Sequence, residues 1–135
     1  MLENYSKSVL IEANTMLEMS RRMILPAIEC YENKLAGSVS AKKAVAPSAA
    51  CSYEGDIIVK LSDLADKVYA GANALEKAIE GANGEADIIA ESAFIKDTVI
   101  PAMNDIRKAA DEAETYVSKE CWPLPSYGDL LFSVK

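Results

Sequence analysis

The side chains that could do chemistry in this chain are carboxylates and thiols, because its 135 residues include no histidine. Without histidine, neither a Ser-His-Asp nor a Cys-His catalytic arrangement can form, and the usual nitrogen ligands of zinc and iron are missing. A di-iron bundle normally takes a Glu-x-x-His motif from each of two helices, which this sequence cannot supply. We therefore predict no catalytic residue, no metal ligand and no cofactor-binding residue within the chain.

Two clusters of acidic residues have structural explanations. Glu85 and Asp87 are predicted to lie in the first turn of a helix, where the helix dipole favours negative charge. The second cluster is surrounded by basic residues and contains Asp111, Glu112 and Glu114. Because exposed ion pairs are common and weak, we interpret the second cluster as a solvated, partly paired surface.

The three cysteines are Cys30, Cys51 and Cys121. Their spacing is wide and irregular, which is typical of neither a disulfide framework nor a zinc knuckle. We predict reduced thiols with a mainly structural role.

The net charge of −7 makes nucleic acid and anionic membranes poor partners, since both require basic surface. The first residues carry acids and no long apolar run, so they resemble neither a signal peptide nor a membrane span. We expect a cytoplasmic protein.

The elements that must position these residues are helices. Apolar and small residues recur at steps of three and four, and the alternation typical of strands is missing. The pattern predicts one all-α domain, residues 1–135, forming an elongated antiparallel bundle of three long helices with a non-helical tail. The predicted helices span about 2–46, 54–82 and 85–119, and the tail spans 121–135.

Each predicted helix has one face that should pack in the core. In the first helix this face contains Leu2, Tyr5, Val9, Ala13, Met16, Ser20, Met23 and Ala27. In the second it contains Ile57, Leu61, Leu64, Val68, Gly71, Leu75, Ala78 and Ala82. In the third it contains Ile88, Ser92, Ile95, Val99, Ala102, Ile106, Ala109, Ala113 and Tyr116. The methionines at positions 16, 19 and 23 repeat at helical spacing, so we interpret them as core residues.

Two prolines interrupt these helices in similar sequences, "ILPAIE" at 24–29 and "VIPAMN" at 99–104. Proline lacks the backbone N–H and crowds the preceding turn, so we expect a kink or a short break at Pro26. In a three-helix bundle the first and third helices run parallel. We hypothesise that the two bends lie side by side.

The last fourteen residues before Lys135, "CWPLPSYGDLLFSV", differ from the rest of the chain. Pro123 and Pro125 prevent the third helix from continuing. The tail is too apolar for a solvated terminus, so it should dock on another surface. The candidate docking residues are Trp122, Pro123, Tyr127, Leu130, Leu131 and Phe132.

Three segments resemble the helical C-terminal region of the type III glutamine synthetases. They are "WPLPSYGDLLFSV" at 122–134, "ENYSKSVLIEANTMLEMSRRMILPAI" at 3–28 and "IKDTVIPAMNDIRKAADEAE" at 95–114. The resemblance therefore extends over nearly the whole chain. Cys121 departs from it, because the family is expected to place an aromatic residue beside the tryptophan.

The resemblance implies a parent enzyme that joins ammonia to glutamate with ATP, through a γ-glutamyl phosphate, using divalent Mg or Mn ions in a double-ring homo-oligomer. The family's catalytic motifs are expected upstream, and none of them is present in these residues. The chain is then a fragment that is inactive alone. Its partner would be the catalytic region of the same polypeptide, and its role would be structure and assembly. The tail could dock on its own bundle or on a neighbouring subunit.

The alternative is a free-standing acidic helical adaptor that binds a partner protein through its methionine-rich or terminal surface. An in-frame catalytic region upstream of Leu2 would exclude the adaptor, whereas a stop codon and a native start there would exclude the fragment.

Overall fold

The computed structural model describes residues 2–124, and these residues form three long helices. The first helix (residues 2–45) comprises Leu2–Met19, a π-helical turn Ser20–Ile24, and Leu25–Val45. The second helix is Ser52–Asn83. The third helix (residues 88–116) comprises Ile88–Phe94, a π-helical turn Ile95–Val99, and Ile100–Tyr116. The predicted all-α three-helix bundle is confirmed.

Successive helices run antiparallel, as the order of their contacts shows: Gly71 and Gly81 of the second helix face Ile106 and Phe94 of the third, respectively. Along the first helix, Arg21 contacts Glu76 whereas Lys42 contacts Glu54, so the partner number falls as the residue number rises. At ~1.5 Å per residue the first helix is about 65 Å long, which makes the bundle elongated. Among residues 2–124, none of the helices combines the length and the apolar character that a membrane span requires.

Both prolines are accommodated without a break in the helix. Leu25 donates its N–H to the carbonyl of Ser20, five residues earlier, and Ile100 donates to Ile95 in the same way. Each proline is the second residue after such a widened turn. The extra residue in a π-helical turn spreads the backbone where proline can form no hydrogen bond of its own. Of the kink or short break expected at Pro26, the structure shows no break: the helix continues through a π-helical turn.

The core consists of two clusters stacked along the bundle. The far-end cluster contains Val9, Ala13, Leu75, Ala78, Ile79, Ala82, Ile95, Val99, Met103 and Ile106. The tail-end cluster contains Ile24, Ile28, Leu61, Leu64, Val68, Ala109, Ala110, Ala113, Val117 and Cys121. Ile24, the last residue of the first π-helical turn, packs in the tail-end cluster, whereas Ile95 and Val99 of the second pack in the far-end cluster. The hypothesis that the two bends lie side by side is wrong.

Near each π-helical turn, one buried residue differs from the prediction. Ile24 is buried and Met23 is half-buried; likewise Met103 is buried and Ala102 is half-buried. The predicted core residues that follow each turn are nevertheless buried: Ala27 in the first helix, and Ile106, Ala109 and Ala113 in the third. The extra residue of a π-helical turn therefore displaces the buried position only locally.

The helix ends differ by a few residues from the prediction. The third helix begins at Ile88, three residues later than predicted, because the carboxylate of Asp87 caps it by accepting the N–H of Ala90 at 3.4 Å. It ends at Tyr116, before the predicted Lys119, since Val117 has an extended backbone. The second helix begins at Ser52, two residues earlier than predicted.

Candidate docking site at the tail end of the bundle

The acidic clusters do not form a site in the structure. Asp87 serves as a helix cap, and Glu85 precedes the helix that it was predicted to enter. Asp111 and Glu112 are exposed on the third helix. Within residues 2–124 there is no group of three or more histidine, cysteine, aspartate or glutamate side chains placed to hold a metal ion.

The methionine stripe is more exposed than a core position. Met16, Met19 and Met23 are all half-buried. Met16 and Met19 line a groove of about 310 Å³ with Met103 and the exposed Ile11. These methionines were predicted to be core residues, but they are only half-buried. The first and third helices leave a shallow groove between them beside Met16 and Met19.

The C-terminal turn returns the chain to the bundle after the third helix. The N–H groups of Cys121 and Trp122 both donate to the carbonyl of Ser118, at 3.1 Å each. Cys121 is thereby buried, while Pro123 remains exposed. The local cause is the extended backbone at Val117, which ends the helix and lets the turn form.

Two apolar side chains of this turn pack on the helices. Trp122 and Leu124 are half-buried against the tail-end cluster, as are Tyr31 of the first helix and Ile57 of the second. The structure thus places Trp122 on the bundle of its own chain. Four other candidate docking residues lie outside the described residues: Tyr127, Leu130, Leu131 and Phe132.

Beside the turn, two thiols meet that the sequence analysis treated separately. The Sγ atoms of Cys30 and Cys121 lie 2.7 Å apart. The hydrogen bond with Cys121 is the main reason why the pKa of the Cys30 thiol is raised, and desolvation adds to it. No local sequence signal could have paired two residues on different elements.

An ion pair lies next to these thiols. The ammonium of Lys34 donates to a carboxylate oxygen of Glu120 at 2.5 Å. This hydrogen bond raises the pKa of Lys34 and lowers the pKa of Glu120. Both side chains are substantially exposed, so solvent screens the pair and its contribution to stability is small.

Polar contacts also join the first and second helices at this end. Tyr31 and Tyr53 share a hydrogen bond of 3.2 Å between their hydroxyl oxygens. The ammonium of Lys42 donates to the carboxylate of Glu54, which is 3 % exposed. The pKa of Glu54 is lowered, chiefly by this hydrogen bond. Lys42 thus compensates the charge of a carboxylate that solvent barely reaches.

The same end of the bundle exposes large apolar side chains. Val45 is 88 % exposed at the end of the first helix, and Tyr53 is 62 % exposed at the start of the second. The structure therefore shows a helical domain whose C-terminal segment begins at the same end as these two exposed apolar side chains.

Comparison with known proteins also indicates a C-terminal domain. The family described as "Glutamine synthetase C-terminal domain" matches residues 1–43. A glutamine synthetase of Butyrivibrio fibrisolvens is 30 % identical over 135 residues, which are 100 % of this chain and 19 % of that protein. A type-3 glutamine synthetase of Dictyostelium discoideum is 29 % identical over 136 residues, covering 98 % of this chain and 18 % of that protein.

A glutamine synthetase of Bacteroides fragilis (strain YCH46) is 25 % identical over 138 residues, covering 98 % of this chain and 19 % of that protein. The chain spans about a fifth of the length of the curated relatives it matches. It corresponds to the C-terminal domain of glutamine synthetases, the type III enzymes among them. The resemblance seen in its sequence is confirmed.

Proposed function

We propose that this chain is a non-catalytic assembly domain of a type III glutamine synthetase. The intact enzyme would ligate ammonia to glutamate with ATP and a divalent Mg or Mn ion. The catalytic region of the same polypeptide would supply that chemistry. The domain would contribute contacts between regions or subunits of a cytoplasmic homo-oligomer.

The observation that carries the proposal is the packing of the C-terminal turn at the tail end. Trp122 and Leu124 pack on the bundle there, and the chain continues into residues 125–135, which are rich in apolar side chains. Val45 and Tyr53 expose further apolar surface at the same end. Because apolar and aromatic anchors dominate protein interfaces, this end is suited to bind another part of the enzyme.

Removal of residues 125–135 from the full-length enzyme tests the proposal. We expect the oligomer to dissociate in sedimentation velocity experiments, and glutamine formation to fall with it. The truncation keeps the described turn, so circular dichroism should show an intact helical domain. An unchanged oligomer with normal activity contradicts the proposal.

Full-length variants of the tail sharpen this test. Serine substitution of four apolar residues should reproduce the dissociation, and these are Tyr127, Leu130, Leu131 and Phe132. The matched control replaces Ser126 and Ser133 by alanine, which keeps the apolar side chains and should leave the oligomer intact. The adaptor hypothesis is tested separately, by reading the gene upstream of Leu2 for a stop codon and a native start.

A further inference from the structure

The thiol pair at the tail end joins two distant parts of the chain. Cys30 lies on the exposed side of the first helix, and Cys121 lies buried in the turn after the third helix. Their Sγ atoms are 2.7 Å apart, whereas a disulfide bond is about 2.05 Å long. A shift of less than about 1 Å would bring the two sulfur atoms to bonding distance.

We propose that Cys30 and Cys121 form a reversible disulfide that fastens the start of the C-terminal tail to the first helix. The exposed thiol of Cys30 can be reached by an oxidant, and Cys121 is held beside it to complete the bond. Cys51 lies at the start of the second helix and serves as an internal reference thiol. The proposal concerns this chain alone and does not depend on the assembly role.

The chemistry requires a two-electron acceptor, for which a small-molecule disulfide such as glutathione disulfide suffices. The Cys30 thiolate attacks one sulfur of the small disulfide, whose S–S bond breaks and releases one thiolate. The Cys121 thiolate then attacks Sγ of Cys30 and displaces the second small thiolate. The two protein thiols lose two electrons, and their two protons end on the two small thiols that leave.

The surroundings of the pair set the conditions for this exchange. The hydrogen bond with Cys121 raises the pKa of the Cys30 thiol most. Of the two charged neighbours, Lys34 lowers this pKa and Glu120 raises it. Because the thiolate is the attacking species, the exchange should accelerate as the pH rises toward the pKa of Cys30.

Oxidation would change how firmly the tail is held. In the reduced state, the turn is held by hydrogen bonds to Ser118, by the Lys34–Glu120 pair and by the packing of Trp122. All of these are non-covalent and partly exposed contacts. A covalent link at Cys121, directly before Trp122, would keep the tryptophan on the tail-end cluster.

The test uses the 135-residue chain, equilibrated with glutathione disulfide and then alkylated under denaturing conditions. We expect free thiols to fall from three to one per chain, and peptide mass spectrometry to identify a Cys30–Cys121 cross-link with Cys51 alkylated. Three free thiols at equilibrium, a persistent glutathione adduct on Cys30, or a cross-link that includes Cys51 would each overturn the proposal.

Single serine variants provide the controls. Cys51→Ser should lose both remaining thiols on oxidation, and its Tm should rise on the order of 10 °C because the bond closes a long loop. Cys30→Ser and Cys121→Ser should form no intramolecular bond and show no such rise.

Trp122, the only tryptophan, gives an independent readout in Cys51→Ser. Acrylamide should quench its fluorescence less after oxidation, and dithiothreitol should restore the quenching. Equal quenching in both states would contradict the fastening of the tail.

Discussion

The two ends of the bundle are stabilised in different ways. At the far end, side chains of the third helix pack directly on glycines of the second: a methyl group at Gly71 would lie 2.8 Å from Cγ1 of Ile106, and one at Gly81 would lie 2.5 Å from Cζ of Phe94. At the tail end, polar contacts such as Lys42–Glu54 and Tyr31–Tyr53 join the helices. Both ends have an apolar cluster and interhelical polar contacts, but close contacts at glycine distinguish the far end, whereas a thiol pair and the nearly buried Glu54 distinguish the tail end.

The largest expected effect comes from adding volume at the far-end cluster. Gly71→Ala places its methyl group against Ile106, which is 1 % exposed and stiff at its β-branched carbon. We expect the free energy of unfolding to fall by about 1–3 kcal/mol. Urea denaturation followed by circular dichroism measures this change.

The matched control for that substitution lies at the tail end. Gly55 is also helical, and a methyl group there would meet nothing within 4 Å. Gly55→Ala should raise the free energy of unfolding by about 0.5–1 kcal/mol, through the better helix propensity of alanine. Two alanine variants with the same sign would show that the two ends do not differ in packing.

A smaller effect is expected from two buried serines. Ser6 is 1 % exposed, and its hydroxyl has no hydrogen-bond partner within the described residues. The hydroxyl of the buried Ser20, in contrast, donates to the carbonyl of Met16 at 2.8 Å. Ser6→Ala removes an unsatisfied polar group and should stabilise the chain by about 1 kcal/mol. Ser20→Ala removes a hydrogen-bonded hydroxyl and should not stabilise the chain. Thermal unfolding of both variants measures this difference.

The smallest change in the free energy of unfolding is expected at the tail end, when the pH is lowered. The pKa of Glu54 is lowered in the folded chain, so its carboxylate binds a proton more readily once the chain unfolds. Its contribution to stability is thus present above its ordinary pKa of 4.5 and is lost as the pH falls through the lowered folded value. The side chain of Lys42 is 56 % exposed, so solvent weakens the pair.

Lys42→Met should make the free energy of unfolding less sensitive to acid below about pH 5. Lys43→Met removes the neighbouring exposed charge and serves as the control, which should keep the wild-type pH dependence. Urea denaturation at several pH values measures both variants. Identical acid sensitivity of the two variants would mean that Glu54 does not depend on Lys42.

Much of the bundle could be predicted from local patterns, and the errors lie at particular positions. The helices follow from apolar residues at steps of three and four, which report burial on one face. Near the π-helical turns before Pro26 and Pro101 the buried position differs by one residue, so Ile24 and Met103 are buried where their neighbours were predicted. Tyr5, which precedes both turns, was also predicted in the core, yet it is 47 % exposed.

The tail end of the bundle was predicted only in part. The prolines and apolar residues of the tail indicated docking, and the structure packs Trp122 on the bundle. The Cys30–Cys121 contact and the burial of Glu54 were missed, because each depends on a residue from another helix or from the C-terminal turn. Such contacts leave no periodic signal in a single sequence.

The sequence by itself determined the all-α class, the number of helices, the end of the third helix before Pro123 and the likeness to a known C-terminal domain. The helices follow from the short-range repeat of apolar residues, the end of the third helix from the missing N–H of proline, and the likeness from the residues of three segments. The tertiary structure decided that Pro26 lies in a continuous helix, that the two π-helical turns lie at different levels, and that Cys30 meets Cys121. Those outcomes depend on how the helices are aligned along one another, which only packing between distant residues sets.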